Sequence, residues 1–169
     1  EHLIGNGNKK VLLLEFSDLE CPFCKQLHAD VTDKIYDNYK DKVDVIFKHF
    51  PLPFHTKAPN EAVAAMCARD LGGQMAYKNY IEKLYDVTEG NNKLDPKMLP
   101  EIAGMINLDK TKFADCQSNS TSTTEKMKQI QDDLADGQAA GVDGTPATLI
   151  LIKEGNEYRI LSKIAGARD

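Results

Sequence analysis

The spacing of apolar positions changes several times along the chain, and the changes mark out its elements. Val11 to Ser17 is a short, mostly apolar run, as expected of a strand buried on both faces. From Pro22 to about Lys40 the apolar residues Leu27, Val31, Ile35 and Tyr39 recur every four positions, which predicts a helix with one buried face. Pro22 falls in its first turn, where a missing N–H costs nothing. Val43 to Phe50 predicts a second strand, and strand, helix and strand with short links read as a right-handed parallel βαβ unit.

The proline-rich stretch Pro51 to Pro59 ends that strand, and only helical signals follow. An Ala-rich helix runs from about Asn60 to Leu71 and stops at Gly72-Gly73. Another covers about Gln74 to Asp86, with Tyr77, Tyr80, Ile81, Leu84 and Tyr85 on one side. Asp95-Pro96 opens a third, whose start Pro100 must shift or whose axis it must kink. Asp109 caps a short fourth carrying Phe113 and Cys116, and Ser122 with Glu125 forms a capping box for a fifth ending near Gly141. Finally, "ATLILI" and "EYRILSKI" flank "KEGN" and predict a β-hairpin. The expected division is one sheet-containing unit, 1–58 plus 142–169, interrupted by an inserted helical unit at 59–141. No internal repeat occurs.

A length of 169 residues suits one domain with a sizeable insertion, and 41 % hydrophobic with 28 % charged residues is a soluble globular composition. A net charge of −5 without a basic stripe argues against binding nucleic acid or anionic lipid. No apolar run approaches the roughly 20 residues that cross a bilayer. The chain begins "EHLIGNGNKK", without initiator methionine or signal peptide, and reads as a mature or trimmed form with any export signal or anchor out of sight.

The chemistry concentrates in "VLLLEFSDLECPFCKQLH", where Cys21 and Cys24 sit at the start of a predicted helix. A zinc site usually wants a second cysteine pair or a histidine pair on suitable elements, whereas Cys67 and Cys116 stand alone and His49 and His55 straddle a strand end and two prolines. A structural bridge closing so small a loop restricts few unfolded conformations. A redox couple explains the position. At a helix N-terminus the free N–H groups and the dipole favour a thiolate on Cys21, while Cys24, one turn in, is more buried. Were Cys21 to titrate near pH ~4.5, the thiolate would favour the reduced protein at pH 7 by roughly 3.4 kcal/mol, or about 70 mV for a two-electron couple.

These residues carry a resemblance. "EFSDLECPFC" after a strand, "FKHFPLPFH" on the second strand and "GTPA" before a hairpin are similar to the DsbA-like thiol oxidoreductases of the thioredoxin superfamily, and the similarity extends over "AAMCARDLGG" and "DGQAAGVDGTPA". It implies an α/β, thioredoxin-like fold (βαβ…ββ) with a helical insertion between the second and third strands. It implies that Cys21 is the nucleophile and Cys24 the resolving thiol. It also implies that the Thr145–Pro146 bond is cis, with Pro22, Phe23, Thr145 and Pro146 contacting substrate. Glu15, within an apolar strand, matches an acidic position that assists proton transfer in the family, with Lys48 on the neighbouring strand as its candidate partner. Phe23 departs from the histidine of the best-known relatives and offers no charge, which implies a milder oxidant.

The expected function is therefore insertion of disulfides into extracytoplasmic proteins by dithiol exchange, without cofactor or metal. Partners would be unfolded or extended cysteine-containing polypeptides and a membrane partner that regenerates the disulfide, with the protein acting as a monomer. A reductase or isomerase using the same site, and a redox-inert chaperone, are the rival readings. Cys67 and Cys116, 49 positions apart on predicted helices, are either a bridge stabilising by roughly 4 kcal/mol or free buried thiols. His28 is expected on the surface. Thioredoxin folds normally end with a helix after the hairpin, and here it would lie beyond "IAGARD".

Overall fold

The computed structural model describes residues 3–167. Residues 1, 2, 168 and 169, at the ends of the expected sheet-containing unit, lie outside the described residues, as does any helix after the hairpin. Five strands form one sheet: β1 (Leu3–Ile4), β2 (Val11–Ser17), β3 (Val43–His49), β4 (Ala147–Glu154) and β5 (Glu157–Ala165), in the order β1-β3-β2-β4-β5. β2 and β3 run parallel and every other pair is antiparallel. The apolar run of β2 is thus explained by its central place, with a neighbour on each side and helices over it. β1 went unpredicted because two residues carry no periodicity. Its Ile4 closes a small core with Leu13 and Val45.

The helix predicted over 22–40 is three pieces: α1 (Pro22–Leu27), a π-helical turn (His28–Thr32) and α2 (Asp33–Tyr39). The wider turn, in which Asp33 N–H reaches the His28 carbonyl, rotates the buried face. Leu27, His28 and Thr32 are buried, while Tyr39 of the predicted apolar stripe is 51 % exposed.

Between β3 and β4 lie α3 (Ala58–Val87), α4 (Met98–Met105), α5 (Lys110–Ser118) and α6 (Ser120–Ala139). α3 holds both predicted helices, broken at Gly73, whose φ of 76° suits glycine. Pro100 falls in the first turn of α4, where no N–H is missed. Asp109 caps α5 as expected, its side chain accepting from the Thr111 and Lys112 N–H groups. α6 begins earlier than its predicted capping box, because Asn119 accepts from the Ser122 N–H at 2.9 Å and takes the cap.

A disulfide joins Cys67 of α3 to Cys116 of α5. The largest core cluster runs from these helices to Phe47 of β3 and to Cys21 and Cys24. On α6, Gly137 lets the helix settle on aromatic rings: a Cβ there would stand 2.7 Å from Phe50 and 3.0 Å from Phe16.

Candidate active site

β2 ends at Ser17, a tight turn follows, and Cys21 becomes the N-cap of α1 with Pro22 behind it. Burial and hydrogen bonding then treat the two thiols differently. The Cys21 thiol is lowered from 9.0 to about 6, chiefly because the Cys24 thiol donates to it. Burial works against this, and the N–H groups of Cys24 and Phe23 add to the lowering. Cys24 is fully buried and is pushed well above the usual thiol range, first by that burial and then by its neighbour. The Asp18 N–H lies 3.4 Å from the Cys24 sulfur. One thiol is therefore set up to ionise and the other to stay protonated.

Facing Cys21 is the turn before β4. The Thr145–Pro146 peptide bond is cis, and the Thr145 carbonyl lies 3.6 Å from the Cys21 sulfur. Pro146 is buried, whereas Pro22 and Phe23 are exposed. A groove of about 320 Å³ opens beside Cys21, lined among others by Phe23, Leu52, Phe54, Asn91 and Thr145. Phe23 is 63 % and Phe54 66 % exposed, so two large apolar rings flank the groove beside Cys21.

Beneath the turn sits Asp18, which sequence reasoning did not single out. Its carboxylate accepts from the N–H groups of Glu20 (2.8 Å) and Leu52 (2.7 Å) and pairs with His55 Nδ1 at 2.8 Å. Burial raises Asp18 from its ordinary value, with these hydrogen bonds opposing. His55 lines the groove and reaches Asn91 Oδ1 at 3.4 Å through Nε2. The only local signal was an aspartate at the end of an apolar strand, and its partner lies 37 positions away.

Glu15 is buried on β2, and one of its oxygens accepts from the Thr32 hydroxyl at 2.7 Å. Burial raises its pKa, opposed first by the charge of His28. The expected partner, Lys48, is elsewhere: its ammonium binds Asp133 at 2.7 Å and Asp136 at 2.9 Å. Strand alternation is the reason. Lys48 is in register with Phe16, one residue on from Glu15, and so projects from the opposite face. The surface position expected for His28 is also corrected. His28 is buried against Tyr85, its ring centroid 5.3 Å away, because it lies one helical turn after the buried Cys24 and shares its face.

Metal chemistry finds little support in the placement of ligands. His49 Nε2 meets the Tyr77 hydroxyl at 2.9 Å while His55 meets Asp18, so the two histidines do not converge. His28, Asp33 and Glu82 do gather donor atoms within 4.8 Å of one another. The Lys78 ammonium, however, already contacts both carboxylates there. No helix among the described residues is long and apolar enough to cross a membrane.

Comparison with known proteins agrees with this geometry. A family model described as thioredoxin matches residues 1–159. Over 144 residues the chain is 26 % identical to disulfide bond formation protein D of Bacillus subtilis, covering 74 % of this chain and 62 % of that protein. The chain thus spans less than two thirds of that relative. Among solved structures, DsbA2 of Pseudomonas aeruginosa superposes with a TM-score of 0.80 at 24 % identity, covering 99 % of this chain and 87 % of that one. A periplasmic thioredoxin-like protein from Salmonella enterica serovar Typhimurium gives 0.74 at 26 % identity, covering 99 % and 82 %.

Proposed function

The chain belongs to the thioredoxin family, where it is DsbA-like, and from that premise we propose that it is a thiol:disulfide oxidoreductase that introduces disulfides into extracytoplasmic polypeptides. The observation that carries this is the division of labour between the two thiols, Cys21 lowered to about 6 in a groove and Cys24 raised and buried behind it.

In the oxidised protein a client thiolate attacks the Cys21 sulfur, the Cys21–Cys24 bond breaks, and Cys24 leaves and takes a proton. A second client thiolate then attacks the client sulfur of the mixed disulfide. The client gains a disulfide, Cys21 departs as a thiolate, and two electrons have passed to the protein. A thiol at about 6 is mostly ionised at pH 7, which makes Cys21 a good leaving group. The shift from 9.0 to about 6 favours the reduced form at pH 7 by on the order of 1 kcal/mol, less whatever solvent screens, and so by a few tens of mV at most. That is less than half of what a thiol near ~4.5 would supply, so the protein is a mild oxidant.

Thr145 and Pro146, with Pro22 and Phe23, form the substrate-contacting surface, and the two exposed rings suit extended chains with apolar side chains. Glu15 serves as a proton relay to Cys24. The Cys67–Cys116 bridge supports an extracytoplasmic location, since such bonds persist in oxidising compartments. A membrane partner returns the couple to the disulfide, and the protein works as a monomer without cofactor or metal.

The test is exchange with a reduced, unfolded protein, followed by mass spectrometry of client disulfides. Cys21→Ser abolishes transfer, and Cys24→Ser offered a disulfide-bonded client accumulates a mixed disulfide, because its Cys21 thiolate attacks one client sulfur, the other leaves as a thiolate, and no second thiol is there to release the client. Transfer that survives Cys21→Ser would overturn the mechanism.

A further inference from the structure

Immediately before Cys21 stands Glu20, fully buried at 0 % exposure. Its oxygens hold a distant segment, 88–94, against the active-site turn. The Asn91 N–H donates to the Glu20 carbonyl at 2.7 Å, and the Asn92 N–H donates to Glu20 Oε2 at 2.5 Å. Gly90, at φ 72°, lies so close that a Cβ would stand 2.7 Å from the Glu20 carbonyl and 3.2 Å from Pro22. Asn91 then lines the groove, so one groove wall hangs on Glu20.

A second carboxyl group meets Glu20 from the first turn of α3. Glu61 is 2 % exposed, and no donor among the described residues reaches either of its oxygens or Glu20 Oε1. Two buried carboxylates facing each other without a donor would repel and forgo solvation together. A proton on one of them removes both penalties. The charged and titratable groups around Glu61 are Glu20 and Asp18 from the turn after β2, Lys57 ahead of α3 and Tyr80 further along α3. Of these only Lys57 favours a charged Glu61, and its ammonium donates to the Leu94 carbonyl at 2.7 Å. Burial, with Glu20 next, pushes Glu61 up to about 10.

We propose that Glu61 is a neutral carboxylic acid whose O–H donates to the Glu20 carboxylate, and that this bond makes Glu61 a positioning residue for the groove wall at Asn91. With Glu61 neutral, Glu20 keeps its carboxylate buried and its grip on Asn92. Without that donor, Glu20 is a buried anion one bond short, drawn towards water and away from segment 88–94. The groove's role in binding clients rests on the thiol-exchange reading, whereas the carboxyl pair and its hold on the segment do not.

The first test is NMR on the full chain, following the Glu61 side-chain carboxyl carbon and the Asn91 and Asn92 amides from acid to alkaline pH. The proposal expects Glu61 to stay protonated through neutrality and to titrate near 10. It expects Glu61→Gln, whose amide can donate in the same place, to keep both amides protected from exchange at neutral pH. Glu61→Leu should lose that protection by at least about tenfold. Titration of Glu61 in the ordinary carboxylate range, or full protection in Glu61→Leu, would overturn the proposal. If Glu61→Leu fails to fold, the titration and the Gln variant decide alone. In exchange with a dithiol peptide, Glu61→Leu should raise KM several-fold more than it lowers kcat, and Glu61→Gln should restore KM. A chain inert towards every peptide but showing the alkaline step would sink the functional reading and uphold the carboxyl pair.

Discussion

At Cys21 the stabilising groups are a neighbouring thiol, the Thr145 side chain and two backbone N–H groups, and Phe23 contributes no charge of its own. A cation at that position should therefore act directly on the thiolate. Phe23→His is expected to lower the Cys21 pKa by about one unit and raise the reduction potential by about 30 mV, read by thiolate absorbance and glutathione equilibration. An unchanged potential would mean that residue 23 does not set the redox poise. Glu15 gives a second test. Its folded pKa is raised, so its contribution is fully present below the unfolded value of 4.5 and is lost as pH rises through the folded value. Glu15→Gln should thus melt at a higher temperature than the parent at pH 7, with the gap closing towards pH 4. Cys21 and Cys24 stand out along the chain as a close thiol pair at a predicted helix start, while Thr145 and Pro146 enter only through the family resemblance. Asp18, Glu20 and Glu61 do not stand out in this way. Each looks like an ordinary polar residue until folding brings its partner from tens of positions away.

Among the elements, strands and helices with several turns of consistent period were legible, and short or irregular ones were not. β2, β3 and the terminal hairpin announce themselves by apolar runs and turn residues. β1 is two residues long, and the π-turn at His28–Thr32 inserts a residue that a period of four hides. That turn explains why Tyr39, beyond it, is exposed, whereas His28 is buried because it follows the buried Cys24 by one turn. Lys48 shows the same kind of limit: a plausible pairing on paper failed because one residue of register sends a side chain to the other face. The packing of α6 offers a direct check. Gly137→Ala places a methyl group against Phe50 and Phe16 and should cost about 1–3 kcal/mol in denaturant unfolding. The α3–α5 bridge is testable independently. Replacing Cys67 and Cys116 by alanine opens a loop of 49 positions and should lower stability by roughly 4 kcal/mol while leaving exchange at Cys21 intact.

For the whole molecule, the oxidation state of one bond is coupled to stability through one proton. In the reduced form the folded Cys21 is lowered to about 6 from 9.0, so its stabilising contribution is present above about 9 and is lost as pH falls through about 6. The oxidised form has no such group, and the raised carboxyl groups are common to both. The melting temperature of the reduced form minus that of the oxidised form should therefore rise between about pH 6 and pH 9, by calorimetry. A flat difference would remove the thiolate from the account. In the proposed function the same thiolate biases exchange towards oxidation of the client, which makes the reduction potential of the Cys21–Cys24 couple, equilibrated in glutathione buffers, the most direct measurement. The account predicts a mild oxidant, near the roughly −180 mV of protein disulfide isomerase and below the about −120 mV of DsbA. A value near the roughly −270 mV of thioredoxin would make the protein a reductase and contradict it.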